Sequence, residues 1–386
     1  MIHYGRQHIS QSDIDSVVEV LKSDFITQGP VVPTFETNVA NYCGANHAIA
    51  TNSATAALHI ACLALEIGPG DLVWTSSSSF VSSSNCALFC GAKVDFVDID
   101  PNTYNMSVEK LSEKLDDAKI KGLLPKVIIP VHLCGQSCDM KAIYNLSKKY
   151  NFKIIEDASH AIGGKYKNKP VGSCEYSDIT VFSFHPVKII TTGEGGMALT
   201  NDSKLFNLLK MYRSHGITSD NNQMLSRPND EIWNYQQLFL GFNYRMTDIQ
   251  AALGNSQIKR LDEIVEARHR IANKYHQAFK DLPIQIPWQH PLTYSSYHLY
   301  PIRVNYQQSN KNQQTVYDLF LDSGINVNLH YIPIYRQPYY EALGFKAGHC
   351  PESEKYYKET ISIPLYPTLT SDEQNRVIRV LLDIFK

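Results

Sequence analysis

The sequence predicts an α/β protein, with a mostly parallel sheet of seven strands followed by a smaller C-terminal α+β domain. Three observations predict it. Short apolar runs alternate with amphipathic stretches from His47 to Thr200, the rhythm of a parallel sheet covered on both faces. A long amphipathic stretch from Thr247 to about Leu282 then breaks that rhythm. The chain of 386 residues is 43% hydrophobic and 19% charged, enough for more than one core at roughly 150 residues per domain. The expected division is residues 1–255 and 256–386, with the boundary inside the long helical stretch.

Each element has its own signal. Ser10 or Ser12 caps a first helix, with Ile14, Val17, Val18 and Leu21 on one face. The run Phe25-Ile26-Thr27-Gln28-Gly29-Pro30 breaks it. A second helix carries Phe35, Val39 and Tyr42 and stops at Gly44. Strands are expected at His47–Thr51, Leu72–Thr75, Lys93–Val97, Val127–Val131, Lys153–Glu156, Ile179–Phe184 and Gly196–Thr200. Helices are expected at Thr55–Leu65, Phe80–Cys90, Ser107–Ala118 and Met140–Tyr150. Beyond the long stretch come a strand at His298–Val304, a helix at Gln314–Leu321, a strand at Ile325–Tyr331 and a terminal helix from Ser371. The one biased run, Thr75 to Ser84, holds seven serines and is too short for a disordered segment.

Composition excludes several classes. The net charge of -2, from 36 basic and 38 acidic residues, argues against a broad nucleic-acid footprint. No apolar run approaches the ~18 residues of a membrane span. The opening Met1-Ile2-His3-Tyr4-Gly5-Arg6-Gln7 turns polar at once, unlike a secretory signal, so a cytoplasmic protein is expected. Cysteines stand at 43, 62, 86, 90, 134, 138, 174 and 350, with no CxxC pair. They read as reduced core thiols, and no metal site is expected.

Ligands of open parallel sheets bind beyond the carboxyl ends of the strands, so the residues following each strand are the candidates. After the first strand, Asn52-Ser53-Ala54-Thr55 enters a helix, where free N–H groups suit a phosphate; alone, such a signal is more often only a cap. After the fifth, Asp157 leaves the apolar Ile154-Ile155 pair, and a buried carboxylate needs a partner, although a turn aspartate has the same look. After the sixth, Ser183-Phe184-His185-Pro186-Val187-Lys188 leads to Gly193-Glu194-Gly195-Gly196. A lysine in a crowded cleft has a lowered pKa and can form a Schiff base, while a lone loop lysine is usually solvated. Phosphate cup, strand-end Asp157 and downstream Lys188, in that order, fit pyridoxal 5′-phosphate (PLP). His185 is either a second base or a positioning residue.

With these residues the chain resembles the DegT/DnrJ/EryC1/StrS family of sugar aminotransferases. The likeness runs from Tyr4 nearly to the C-terminus. It is carried by Thr27-Gln28-Gly29-Pro30, Asn52-Ser53-Ala54-Thr55, Val131-His132-Leu133, Glu156-Asp157-Ala158-Ser159-His160, Ser183-Phe184 with Lys188, Arg213-Ser214-His215-Gly216 and Asn243-Tyr244-Arg245-Met246-Thr247. The resemblance implies the PLP-dependent transferase fold type I. It also implies roles for single residues. Lys188 would be the Schiff-base lysine and Asp157 the partner of the pyridine nitrogen. Ser53, Ala54, Thr55 and Ser183 would bind phosphate, Phe80 would stack on the ring, and Trp74 would be core. Ser159 would lie by the other ring face and His160 by the ring hydroxyl. Asn243 would reach the neighbouring subunit's site in a homodimer. Tyr4, Ile26, Thr27, Ala54, Ser183, His185, Asn243, His330 and Tyr331 would meet substrate.

A narrower likeness, at Tyr4-Gly5-Arg6-Gln7, Asn85-Cys86-Ala87-Leu88 and His330-Tyr331 before Pro333-Ile334-Tyr335, points to a flagellin-modification branch. That branch takes an amino group from L-glutamate to C4 of a UDP-linked 4-keto-6-deoxy-N-acetylhexosamine. Its product is the altrosamine precursor of pseudaminic acid. The runner-up is a bacillosamine-type or dTDP-sugar 4-aminotransferase. Arg213, Arg245 and Arg336 are candidate partners for a diphosphate. Cys134 stands where many family members have Tyr, and it reads with Cys138 as a packing thiol. The family's sugar dehydratases carry His in place of the lysine, and Lys188 argues against that activity. A PLP-binding regulator would need a DNA-reading module, which neither charge nor N-terminus offers.

Overall fold

The computed structural model describes residues 1–226, 231–306 and 311–385. Seven strands, β1 (His47–Thr51), β2 (Leu72–Ser76), β3 (Lys93–Val97), β4 (Val127–Ile129), β5 (Lys153–Asp157), β6 (Ile179–Ser183) and β7 (Gly196–Thr200), form one sheet. Their order is β1-β7-β6-β5-β4-β2-β3. β7 runs antiparallel to both its neighbours and every other neighbouring pair is parallel. The carboxyl ends of β1, β5 and β6 therefore open on the same edge as the first residue of β7. Register places Gly196 between Thr51 and Ser183, and Asp157 beside Val181.

The helices cover both faces, as the near-continuous apolar strands require. They are α1 (Gln11–Leu21), α2 (Val31–Cys43), α3 (Ala54–Ala64), α4 (Ser82–Phe89), α5 (Val108–Lys121), α6 (Met140–Tyr150), α7 (Ser203–Arg213), α8 (Asp248–Ile258) and α9 (Leu261–Phe279). Strand side chains alternate between two cores. Ile49, Ile155, Ile179 and Val181 pack with residues of α3, α4 and α7. Ala48, Ala50 and Phe182 pack on the other face with α2, α8 and α9. The helix ends follow the expected chemistry: Ser10 makes a capping box with Asp13, Ser53 caps α3, and Gly44 ends α2 at φ 72°.

The chain beyond residue 280 adds a three-stranded sheet of Ile284–Gln285, Tyr300–Val304 and Thr360–Ile363, with the helices Gln313–Asp322 and Ser371–Ile384. α9 joins this core through Ile271, Ala272, Tyr275 and Phe279.

Three expectations need correction. The long helical stretch is two helices, broken at Lys259–Arg260, because Arg260 leaves helical geometry to reach Asp13 at 2.6 Å. That ion pair also turns α1 over. Asp13 and Val20 face inward, while Ile14, Val18 and Leu21 are exposed. The segment Ile325–Tyr331 is no strand: it makes single bridges from Ile325 to Ile2 and from Asn328 to Ser362. Between and beyond those bridges side chains take single backbone groups, with Tyr317 Oη donating to Val327 O at 2.9 Å and Asn328 Oδ1 accepting from Leu329 N at 2.8 Å. All eight cysteines are free and buried. Among the described residues no helix is long and apolar enough to cross a membrane.

Candidate active site

The site forms where β1, β5, β6 and β7 meet. Ser53 accepts the Ala56 N–H at 3.1 Å and so turns the chain into α3. Ala54 and Thr55 make the first helical turn, whose N–H groups point out of the helix end and suit an anion. Gly196 packs so closely on this turn that a Cβ there would lie 2.4 Å from Ala54 N. Only glycine lets β7 close this side of the cup, with Ser183 as its neighbour.

Asp157 ends β5 and is 4% exposed. Its Oδ1 accepts from Ser159 Oγ at 2.6 Å and Ser159 N at 3.1 Å, and its Oδ2 from Ser83 Oγ at 2.6 Å. Ser159 is thus turned onto the carboxylate. Ser83 was not among the expected residues; it lies in the serine run, whose composition alone gives it no role.

Lys188 follows β6 in a turn closed by its own N–H to His185 O at 2.9 Å. The loop beyond is tied back by Phe184 N to Gly195 O, Thr192 N to Phe184 O and Thr191 N to Gln257 Oε1. Burial pushes the Lys188 ammonium down to about 8, with Asp157 pulling the other way. His185 is exposed, and its Nδ1 accepts Val187 N–H at 3.4 Å, a contact within its own turn.

Three imidazoles line the floor and far wall. His160 Nδ1 accepts the Cys134 N–H at 3.3 Å, so its hydrogen lies on Nε2, 3.3 Å from Tyr331 Oη. The His298 ring lies 4.3 Å from that of His160, tilted by 46°. His330 bonds Ser362 Oγ through Nδ1 at 2.9 Å and meets Tyr4 at 5.4 Å between rings. Burial and the Lys188 charge hold His160 well below the usual histidine range, and burial first, then His160 and Lys188, do the same to His298. The same two causes push His330 down to about 3. All three are therefore neutral, and the site's charges reduce to Lys188 and Asp157. Phe80, 57% exposed, stands 6.4 Å from Tyr331 and leaves a ring face open.

Ile26, Thr27 and Asn243 form a separate exposed group at the rim of the cup. Thr27 pairs with Thr247, Tyr244 O accepts Asn52 N–H at 2.8 Å, and Asn243 O accepts from Asn52 Nδ2 at 3.4 Å. Asp248 fixes this rim, accepting Gly29 N–H at 2.7 Å and Val32 N–H at 2.9 Å. Two candidate arginines are taken: Arg213 by Glu36 at 2.5 Å, and Arg336 by Glu341 and Glu354. Trp74 is core, as expected. Cys134 is a buried thiol at φ 59°, and Cys138 Sγ donates to Val131 O at 3.2 Å.

A phosphate cup, an unpartnered lysine kept partly neutral and a carboxylate gripped on both oxygens fit PLP, and the comparisons agree. The DegT/DnrJ/EryC1/StrS aminotransferase family model matches residues 7–382.

The chain belongs to this family.

Among curated relatives, the spore coat polysaccharide biosynthesis protein SpsC of Bacillus subtilis is 37% identical, covering 99% of this chain and 97% of its own. The UDP-4-amino-4,6-dideoxy-N-acetyl-β-L-altrosamine transaminase of Campylobacter jejuni is 36% identical over 100% and 98%. GDP-perosamine synthase of Caulobacter vibrioides is 36% identical over 98% and 97%. PseC of Helicobacter pylori, an aminotransferase of pseudoaminic acid biosynthesis, superposes with a TM-score of 0.89 at 31% identity, over 100% and 99% of the two chains. Spr1654 of Streptococcus pneumoniae, solved in a PLP form, gives 0.86 at 28% identity, over 99% of each. This family member is a PLP-dependent sugar aminotransferase of the α/β architecture expected.

Proposed function

We propose that this aminotransferase moves an amino group from L-glutamate to C4 of a UDP-linked 4-keto-6-deoxy-N-acetylhexosamine. The product would be UDP-4-amino-4,6-dideoxy-N-acetyl-β-L-altrosamine, for pseudaminic acid synthesis. The observation that carries the chemistry is Lys188, whose pKa burial lowers to about 8 and on which the fixed Asp157 carboxylate acts. PLP, when bound, supplies a carbonyl that takes and returns the amino group and a ring that accepts electrons. Ser53, Ala54, Thr55 and Ser183 would hold its phosphate, and Asp157 would meet the ring nitrogen. Lys188 Nζ, as free amine, would move a proton between the substrate carbon and C4′ of the cofactor at hydrogen-bond range. Neutral His160, His298 and His330 add no charge beside that amine.

The substrate reading rests on the Campylobacter relative and on the cluster of Tyr4, His330 and Tyr331 beside His160. Tyr331 Oη faces the Nε2–H of His160, which leaves its own hydrogen for a substrate oxygen. A homodimer, with Asn243 working in the neighbouring site, is part of the proposal. The exposed apolar stripe of Ile14, Val18 and Leu21 and the exposed Asn243 support it. A second reading has support too, because the GDP-perosamine synthase is as similar as the UDP-sugar enzyme.

The test supplies PLP, glutamate and either the L-arabino or the D-xylo 4-keto epimer of the UDP sugar. The altrosamine reading requires the L-arabino epimer to win on kcat/KM. Preference for the D-xylo epimer moves the enzyme to the bacillosamine type, and exclusive use of a GDP or dTDP sugar rejects both.

A further inference from the structure

The serine run continues from Ser77 to Ser84 beyond the sheet, which β2 leaves at Ser76. Yet Ser76–Ser79 and Ser82–Ser84 are all buried, and buried hydroxyls call for partners. Three of them pin the loop to the C-terminal chain: Ser77 Oγ meets Ser353 Oγ, Ser78 Oγ donates to Ser353 Oγ at 3.3 Å, and Ser84 Oγ meets Tyr340 Oη at 2.5 Å. Ser82 and Ser83 point elsewhere. Ser82 Oγ lies 2.7 Å from Thr55 Oγ1, at the cup. Ser83 Oγ lies 2.6 Å from Asp157 Oδ2.

The direction of the Ser83 bond follows from proton counting. Ser83 has one hydrogen and three oxygens within reach: Asp157 Oδ2 at 2.6 Å, Ser79 Oγ at 2.7 Å and Phe80 O at 3.2 Å. The charged acceptor at the shortest distance takes it. Ser79 then donates to Ser83, forming a buried relay that ends on the carboxylate. With Ser159 on Oδ1, Asp157 is gripped on both oxygens and cannot turn about its Cβ–Cγ bond.

We propose that Ser82 and Ser83 are paired positioning residues that set the spacing and orientation of the two ends of the cofactor. Consecutive Cα atoms are fixed ~3.8 Å apart. One hydroxyl of this rigid pair holds the phosphate-side Thr55 and the next holds the nitrogen-side Asp157. The helix start that carries them also follows Phe80, the exposed ring proposed to stack. The inference rests on the roles proposed above for Thr55 and Asp157.

The experiment measures binding rather than turnover. The enzyme stripped of PLP is titrated with PLP, with its 1-deaza analogue (ring nitrogen replaced by C–H) and with inorganic phosphate. Ser83→Ala is expected to weaken PLP by roughly tenfold and the analogue by less than about twofold, the loss of one hydrogen bond to a charged group being felt only through the ring nitrogen. Ser83→Thr, which keeps the hydroxyl, restores the preference for PLP. Ser82→Ala weakens PLP and the analogue alike and weakens phosphate as well. Equal losses for both ligands in Ser83→Ala, or none, overturn the proposal. If Ser83→Ala does not fold, Ser83→Cys, of similar size and a weaker donor, must show the same selective loss or the proposal fails. Asp157→Asn separates the two levels. If it keeps the wild-type preference for PLP, the role of Asp157 is wrong. If it loses the preference while Ser83→Ala keeps it, only the positioning pair is wrong.

Discussion

Lys188 offers the sharpest test, because its electrostatics have a sign and a size. The perturbation is pH, from 6 to 10, applied to the PLP-free enzyme. Burial lowers the Lys188 pKa to about 8, against 10.5 for an ordinary lysine. At neutral pH that leaves roughly 300-fold more free amine than an exposed lysine has. Only the free amine attacks a carbonyl. The rate of acylation of Lys188 by acetic anhydride, read by mass spectrometry against exposed lysines in the same sample, should rise tenfold per pH unit up to about 8 and then level. Exposed lysines keep rising toward 10.5. A Lys188 profile that climbs with the exposed lysines through pH 10 refutes the reasoning. The same burial has a stability consequence. A lysine whose folded pKa is depressed binds fewer protons when folded, so it destabilises the fold below pH 10.5. That cost grows as pH falls to about 8 and is constant below. Lys188→Met should therefore raise the stability of the PLP-free enzyme at pH 7, by on the order of 1–2 kcal/mol after discounting solvent screening. The gain should vanish above pH 10.5.

Asp157→Asn should keep PLP bound, though more weakly, and cut turnover by roughly 10² or more, a transition-state loss of several kcal/mol; near-native kcat would make Asp157 structural only. Gly196→Ala should weaken phosphate and PLP binding by at least tenfold in titrations, because its Cβ would sit 2.4 Å from Ala54 N and displace the cup. Wild-type affinity with an undisturbed fold would show that the turn at Ala54 does not hold phosphate. Mixing Asn243→Ala with Lys188→Ala subunits should recover about half the activity per mixed dimer if Asn243 works in the neighbouring site. Confirmed heterodimers without recovery refute that.

The sheet was legible because it is written in two periods at once. Apolar runs such as Ile179–Phe184 feed both cores, and the helices between them carry their own caps at Ser53, Ser107 and Gly44. The strand ends were legible for the same reason, since the residue that leaves an apolar strand is the one delivered to the cleft. What was not legible is whatever depends on a partner far away in sequence. The apolar face of α1 turned outward because Asp13 pairs with Arg260, 247 residues on. Ile325–Tyr331 has strand composition, but it makes only single bridges to Ile2 and Ser362, and Tyr317 and Asn328 take Val327 O and Leu329 N between and beyond them. Arg213 looked available for a diphosphate until Glu36, 177 residues earlier, was found holding it. Ser83 had a composition signal and no direction signal, since nothing local says which of seven serines faces Asp157.

These long-range partners also explain why the site can keep a partly neutral lysine. A cation in a cleft is usually steadied by several nearby carboxylates, which would raise its pKa. Among the described residues Asp157 is the one carboxylate that acts on Lys188, and its oxygens already accept three hydrogen bonds. The other nearby titratable groups, His160, His298 and His330, lie too deep to take up a proton. The Cys134 thiol beside them is pushed up by the same burial and stays protonated. Each is fixed by a bond to a distant segment: His160 to Cys134 N, His330 to Ser362, and the chain at His298 by Arg268, which donates to the carbonyls of Tyr297, His298 and Leu365. The C-terminal segments thus supply two of the three uncharged rings, His298 and His330. A protonated ring in any of these places would repel the Lys188 cation and stabilise the free amine further. A carboxylate would do the opposite and switch the amine off at neutral pH. His298→Asp is therefore the substitution that should move the acylation profile of Lys188 upward in pH, while His298→Asn should leave it in place. A profile unchanged by His298→Asp in a folded protein would mean that this wall does not act on Lys188 at all.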